Sequence, residues 1–472
     1  RFLFLINFVS FLLLPGLVFS VFTRLGVRRR VAWHWMWIAP TGYCFLLQAG
    51  SIGNDLFGAT FVLAAMDFAL RAKVSRSPRD FFTSVLAAAM MTSCKLSDLP
   101  LMLPWVIAVF PALALAKRNL LRAAIIFSIA LVVSAAPTMF FNWQHCGDWT
   151  GLALESSGDK KIPLVQATAC ATLAIAQNFS PPVLPGSARL GEAVEKIVPA
   201  GFIGRLKQTD GSYNPKFWFS DLQIEEGAGL GLGVSILLLA SILAAAFHSS
   251  NQPSHPKESI WRIAVRVAPW ISLLVVFTRA TTAEPISRLI TPYYALLLPA
   301  LLSGFGHERL VKKCWWRALA FAGFGMAAGL LIVSPARPLF PVRTIFEKMQ
   351  NIPARVREVY SVYGERNDAF APARDALPSN LKILGLVTFD DPETSLWRPF
   401  GSRRVEHVRP DDTAEYLKTR GIEYVLASPA ALGKENPLDG WLKKINAQVV
   451  RKIPLNLRAS QGPVDWYLVK LN

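Results

Sequence analysis

The sequence predicts a multi-spanning α-helical membrane protein of about ten spans, with a small C-terminal α/β domain on the exterior side. Three observations predict it. Of 472 residues, 52% are hydrophobic and 17% charged, against about a quarter charged in an ordinary soluble domain. The apolar residues gather in runs of about 16–21, the length a helix needs to cross roughly 30 Å of hydrocarbon. The 50 Lys and Arg against 32 Asp and Glu, a formal charge of +18, sit mostly in short segments between those runs. That is the positive-inside pattern of a membrane protein, and it argues against nucleic acid as the reason for the basic balance.

In order, the expected spans are Phe2–Phe22, Val31–Ala49, Leu56–Leu70, Phe81–Cys94, Leu99–Ala116, Ala123–Phe141, Gly229–Phe247, Ile263–Phe277, Leu289–Gly304 and Ala318–Val333. Pro40, Pro104, Pro137, Pro269 and Pro292 interrupt several of them, which neighbouring helices tolerate by satisfying the freed backbone groups. Alternate turns carry the cations. One side holds Arg24, Arg28, Arg29 and Arg30; Arg71, Lys73, Arg76 and Arg79; Lys117, Arg118 and Arg122; Lys257 and Arg262; and Arg309, Lys312, Lys313 and Arg317. The short turns opposite hold Lys95, Arg279 and Arg288 alone. The first side is therefore expected in the cytoplasm. The Asn54-Asp55 turn, the loop 142–228 and the tail after Ala336 are expected outside.

Within the loop, Ile162–Gln177 reads as an interfacial helix, since Gln166 and Gln177 interrupt its apolar run. Trp149, Trp218 and Phe219 fit an aromatic belt. The expected domains are a membrane domain over 1–335, a linker over 336–378 and an α/β domain over 379–472. In that last domain Leu381–Phe389, Arg403–Val408, Ile422–Ser428, Gln448–Pro454 and Val464–Leu471 read as strands, with helices at Thr413–Thr419 and Trp441–Asn446. The chain opens on Arg1 directly before an apolar run, so it is expected to be a fragment or a processed product lacking upstream sequence.

Few residues can carry chemistry. Asp55 is an acid between two apolar runs, a costly place unless it lies at the water boundary or has a task. As helix N-cap, Asn54 or Asp55 would satisfy free N–H groups and favour the dipole; the two roles are compatible. Asp67 lies four residues before Arg71 and reads as its local partner. Lys95 is either a snorkelling cation paired with Asp98 or a point charge for a phosphate. Arg288 either pairs with Glu284 or grips a phosphate with its guanidinium.

Gly227, Gly229, Gly231 and Gly233 lack the spacing of a nucleotide loop and read as a close helix-packing face. Five cysteines show no metal spacing, and Cys146 with Cys170 leaves room for one exterior disulfide. No metal site is predicted. A divalent metal ion is the one cofactor left open, at Glu225 and Glu226, and no His cluster supports it.

Four stretches carry a resemblance: Gln48–Asp55, a short turn ending in Asn-Asp; Thr92–Pro104, a Lys opening a Leu/Pro-rich run; Asn142-Trp143 through Gly147-Asp148; and Ser287–Pro292, an Arg four residues before Pro. Together they resemble the GT-C type polyprenyl-phosphate-dependent membrane glycosyltransferases, nearest the bacterial protein O-mannosyltransferase and aminoarabinose transferase family. The resemblance implies transfer of a sugar from a polyprenyl-phosphate-linked donor to a lipid, glycan or protein acceptor, on the exterior face of the bacterial inner membrane. It implies basic residues on the leaving phosphate and an acidic general base in the first exterior loop. No Asp or Glu precedes Asp55. The base is therefore expected upstream of Arg1, the fragment alone is expected to be inactive, and Asn54, Asp55, Lys95 and Arg288 are the expected substrate-binding residues. The competing expectation is a non-catalytic glycolipid flippase or polysaccharide-export component, which calls for charges along a midplane path and pseudo-symmetric halves. The sequence displays neither.

Overall fold

A computed structural model describes residues 3–151 except 52, 163–204 except 202, 219–248, 259–280, 285–349 except 305 and 338, 351–388 except 354–355, 358 and 361–367, 391–457 except 392 and 434–436, and 463–472. The chain divides into two compact units. One comprises Arg1–His145 and Asp159–Ile345, the other Cys146–Gly158 and Phe346–Asn472.

The first unit is helical. At its centre the helix Asp55–Ser75 buries residues on every side, among them Leu56, Ala59, Val62, Leu63, Met66 and Ala69. A helix apolar all round is a core helix, and it packs against Leu3–Arg24 on one flank and Pro78–Cys94 on the other. It ends where Arg76 takes a left-handed φ of 54° and donates its N–H to the Ala72 carbonyl. The glycine run behaves as a packing face: a Cβ on Gly233, in the helix Gly231–His248, would lie 2.6 Å from the Cα of Gly323 in Cys314–Val333.

The expectation of about ten spans is overturned. Among the described residues, three helices are long and apolar enough to cross a membrane, Leu5–Arg24, Ile260–Arg279 and Cys314–Val333. There are four if Leu120–Val133 and Ala136–His145, bent by 49°, count as one. These helices fit membrane association. The remaining runs fall short for local reasons. Val31–Ala49 breaks at Pro40 into Arg29–Ile38, a 3-10 turn Ala39–Thr41 and Tyr43–Gln48. Asp55–Ser75 carries Asp55, Asp67, Arg71 and Lys73, too many charges for an apolar crossing. Pro78–Cys94 opens on Arg79 and Asp80 and has only 17 residues. Leu96–Ala112, Gly231–Phe247 and Thr291–Leu302 are shorter apolar helices, the last cut off from the turn Ile286–Leu289 by Ile290. A helix forms at Pro163–Asn178, over most of the run expected to be helical, and buries Val165, Gln166, Ala169, Cys170 and Leu173, packing against Ile260–Arg279. The Cys146 side chain, Trp218 and Glu284 lie outside the described residues.

The second unit contains a five-stranded sheet: β1 (Ile383–Val387), β2 (Arg404–His407), β3 (Tyr424–Ala427), β4 (Ala447–Leu455) and β5 (Val464–Leu471), in the order β2-β1-β3-β5-β4. β1 pairs parallel with β2 and β3, and β5 runs antiparallel to β3 and β4. Residues alternate between two cores. Leu384, Leu386, Leu426, Trp466 and Leu468 join Phe370 and Leu377 on one face. Val387, Val425, Val469 and Leu471 join Val408, Leu417 and Trp441 on the other. Pro454 is tolerated because β4 is an edge strand.

Helix Ala414–Thr419 is capped by Thr413, whose hydroxyl accepts from the Tyr416 N–H at 3.3 Å. Thr413→Ala is expected to cost about 1 kcal/mol, read as faster hydrogen exchange over 414–419. Burial holds the pKa of the His407 imidazole below its ordinary 6.5, Asp412 opposing and Arg420 and Arg409 adding to the shift. The unfolded chain then binds more protons below pH 6.5, so the stability His407 contributes is lost as pH falls from about 6.5 through the lowered folded value. Protection of the sheet amides, taken relative to the intrinsic exchange rate at each pH, is expected to fall between pH 7.5 and 5.5, and His407→Gln to flatten that change.

Candidate functional site

The site is built around Asp55. Where Asn54 or Asp55 was expected to cap the helix, neither side chain does so: Asn54 occupies the N-cap position without a side-chain capping bond. The cap is Gln48, whose Oε1 accepts from the Leu56 N–H at 3.0 Å. Its Nε2 donates to Asp55 Oδ2 at 3.2 Å, so one buried amide fixes both the helix start and the acid. The turn is held from outside the helix as well. Asn7 Nδ2 donates to the Ser51 and Gly53 carbonyls at 2.8 and 2.7 Å, and Asn54 Nδ2 donates to the Cys94 carbonyl.

Two cations meet the carboxylate. Lys95 Nζ lies 2.7 Å from Asp55 Oδ1 and Arg288 Nε 2.9 Å from Oδ2. Glu225 Oε1 stands 3.9 Å from Arg288 Nη2. Asp55 is 1% exposed while the Lys95 and Arg288 side chains are 26% and 27% exposed: the acid is buried and the cations reach the surface. Charge-assisted bonds of this length are the strong ones. Formally the four groups sum to zero, two cations against two carboxylates.

Three of the four expected substrate-binding residues, Asp55, Lys95 and Arg288, thus meet, although Lys95 lies 40 residues and Arg288 233 residues along the chain from Asp55. The Asn54 side chain is taken up by the Cys94 carbonyl beside Lys95. Of the two readings of Lys95, the local pair with Asp98 does not form. Asp98 is fully buried, and neither of its carboxylate oxygens has a hydrogen-bond partner among the described residues. Asp67 accepts from Arg24 Nε at 2.7 Å and Ser20 Oγ at 2.6 Å, with Arg71 farther at 3.6 Å. Glu225 faces a guanidinium, and among the described residues no three His, Cys, Asp or Glu side chains gather to hold a metal ion.

Sequence reasoning gave no role to Gln48 or Asn7. Their signal was a neutral polar residue inside an apolar run. Gln48→Met is expected to leave the Leu56 N–H unpaired and Asp55 short of a donor, costing about 1–3 kcal/mol in thermal unfolding of the detergent-solubilised protein. No family model matches the chain, and no curated protein matches it.

Proposed function

We propose that the chain is the membrane-associated body of a glycosyltransferase that moves a sugar from a polyprenyl-phosphate donor to a lipid, glycan or protein acceptor on the exterior face of the bacterial inner membrane. Lys95 and Arg288 take the donor phosphate, and Asn54 and Asp55 order the turn beside it. The observation that carries this reading is the convergence of two surface-reaching cations on one buried acid. In sugar transfer from such a donor, the bond from the anomeric carbon to the phosphate oxygen breaks and negative charge gathers on the leaving phosphate. Fixed cations are worth most where charge develops in a partly dry site. A long apolar carrier also needs its head group held just beside hydrocarbon, as the cluster's place among apolar helices allows.

Charge favours one side of the membrane for the cluster. Asn7, near the start of Leu3–Arg24, touches the Ser51–Gly53 turn, while Arg24, Arg28, Arg29 and Arg30 gather at the other end of that helix. Arg28 pairs with Glu308, and Lys312 and Lys313 follow before Cys314–Val333. Beyond the far end of that helix, Arg337 lies near the site, its Nη1 3.2 Å from where a Cβ on Gly50 would stand. Two candidate spans therefore place the Asp55 cluster opposite the most cation-rich ends, and the positive-inside rule turns those ends to the cytoplasm.

The test is turnover by membranes carrying the full protein and a polyprenyl-phosphate donor with a radiolabelled sugar. Lys95→Ala is expected to abolish label transfer. Unchanged transfer with normal levels of folded protein overturns the assignment.

A further inference from the structure

Resting on the donor-phosphate reading above, the geometry points to Asp55 as a built-in competitor for that phosphate. Its carboxylate occupies the seat between Lys95 and Arg288, and Asp55 and an anionic head group hold the two cations by turns.

The bonding pattern is the first argument. Lys95 and Arg288 bind different oxygens of one carboxylate, at 2.7 and 2.9 Å. Two oxygens of a phosphate would bridge the same two cations in the same way, so one seat serves both anions. Charge is the second. With Glu225 3.9 Å from Arg288 and Glu226 also acting on its guanidinium, the carboxylates at least balance the two cations, and the closed cluster exerts no net formal pull on an anion. Removing the Asp55 charge makes the cluster more positive by one unit.

Asp55 also keeps a partner when the cations leave. Gln48 Nε2 still donates to Asp55 Oδ2, while Gln48 Oε1 stays on the Leu56 N–H. The released carboxylate keeps a donor and the helix start keeps its cap, so the two long, partly exposed side chains can swing outward without stranding the acid, and the phosphate they meet must offset the ion pairing that Asp55 loses. A buried acid left with no partner would make such an exchange prohibitive. The device would also keep the two cations from holding stray anions at an empty site.

Binding of undecaprenyl phosphate to the protein in phosphatidylcholine nanodiscs tests this, with uncharged undecaprenol as the control lipid. Asp55→Asn keeps the side-chain shape and removes the charge. It is expected to bind undecaprenyl phosphate roughly tenfold more tightly than wild type, with undecaprenol unchanged. Where thermal unfolding shows that Asp55→Asn does not fold, Asp55→Ser takes its place with the same expectation. Equal or weaker phosphate binding by the neutral variant, while Lys95→Ala still weakens it, overturns the competitor role and leaves the phosphate site standing. A tighter grip on undecaprenol as well overturns it too, because the gain then owes nothing to the phosphate. Wild-type affinity in both Lys95→Ala and Arg288→Ala removes the phosphate site itself, and the competitor role with it.

Discussion

Arg288→Ala is expected to lose sugar transfer and to destabilise the helical unit in a single step. Asp55 is 1% exposed, and Arg288 supplies one of its two charged partners. Removing one partner of a buried pair leaves an uncompensated charge, at a cost of about 3–5 kcal/mol. The lower end, about 3 kcal/mol, applies here because Lys95 still holds Oδ1 and Gln48 still donates to Oδ2. Arg288→Lys separates the two effects. A lysine ammonium can reach Asp55 but lacks the planar fork that also addresses Glu225. Thermal unfolding is therefore expected to recover most of the loss in Arg288→Lys while transfer stays well below wild type. A parallel return of both would make Arg288 a structural residue only.

Gly58→Val is expected to be nearly as damaging, for a reason of volume. Gly58 lies in the first turns of Asp55–Ser75, and any Cβ there would run into Asp98 Oδ2 and come within 3.0 Å of Pro292 Cγ. Asp98 is fully buried, so the branched side chain meets the cost of overpacking, about 1–3 kcal/mol. Gly58→Ala should lose less. The signature of this account is non-additivity. Asp98→Ala in the Gly58→Ala background is expected to restore thermal stability toward that of Asp98→Ala alone, because the second change removes the atoms that the first collides with. Strict additivity of the two losses would mean that the contact does not govern the site.

The sheet unit was the most legible part of the sequence. The inner strands alternate between the two cores, as Leu384, Leu386 and Val387 or Trp466, Leu468 and Val469 show, and a period of two survives any tertiary arrangement. The membrane unit was over-read, since run length and hydropathy do not register where a helix breaks. Val31–Ala49 is apolar enough to span, yet Pro40 and Gly42 cut it into three pieces. Pro100, Pro104 and Pro111 divide the run after Lys95 into alternating 3-10 and α turns.

At the site, charge was the readable signal. Asp55, Lys95 and Arg288 each stand out against apolar neighbours, and a charge in such surroundings must find an opposite one. Which opposite charge was not readable. Lys95 bypasses Asp98 three residues away and reaches Asp55 at the start of the neighbouring helix, its own extended backbone, φ −160° and ψ 147°, setting it apart from the 3-10 turn that follows. The neutral residues that hold the arrangement, Gln48 and Asn7, carried no such mark.

The central claim is that Lys95 and Arg288 form a seat for the phosphate of a polyprenyl carrier, and its most direct test is equilibrium binding. Wild type, Lys95→Ala and Arg288→Ala in phosphatidylcholine nanodiscs are titrated with undecaprenyl phosphate, each shown folded by its thermal transition. The predicted result is a loss of about tenfold or more in each variant, with undecaprenol binding the same in all three. Undecaprenyl phosphate binding that is the same in all three would contradict it.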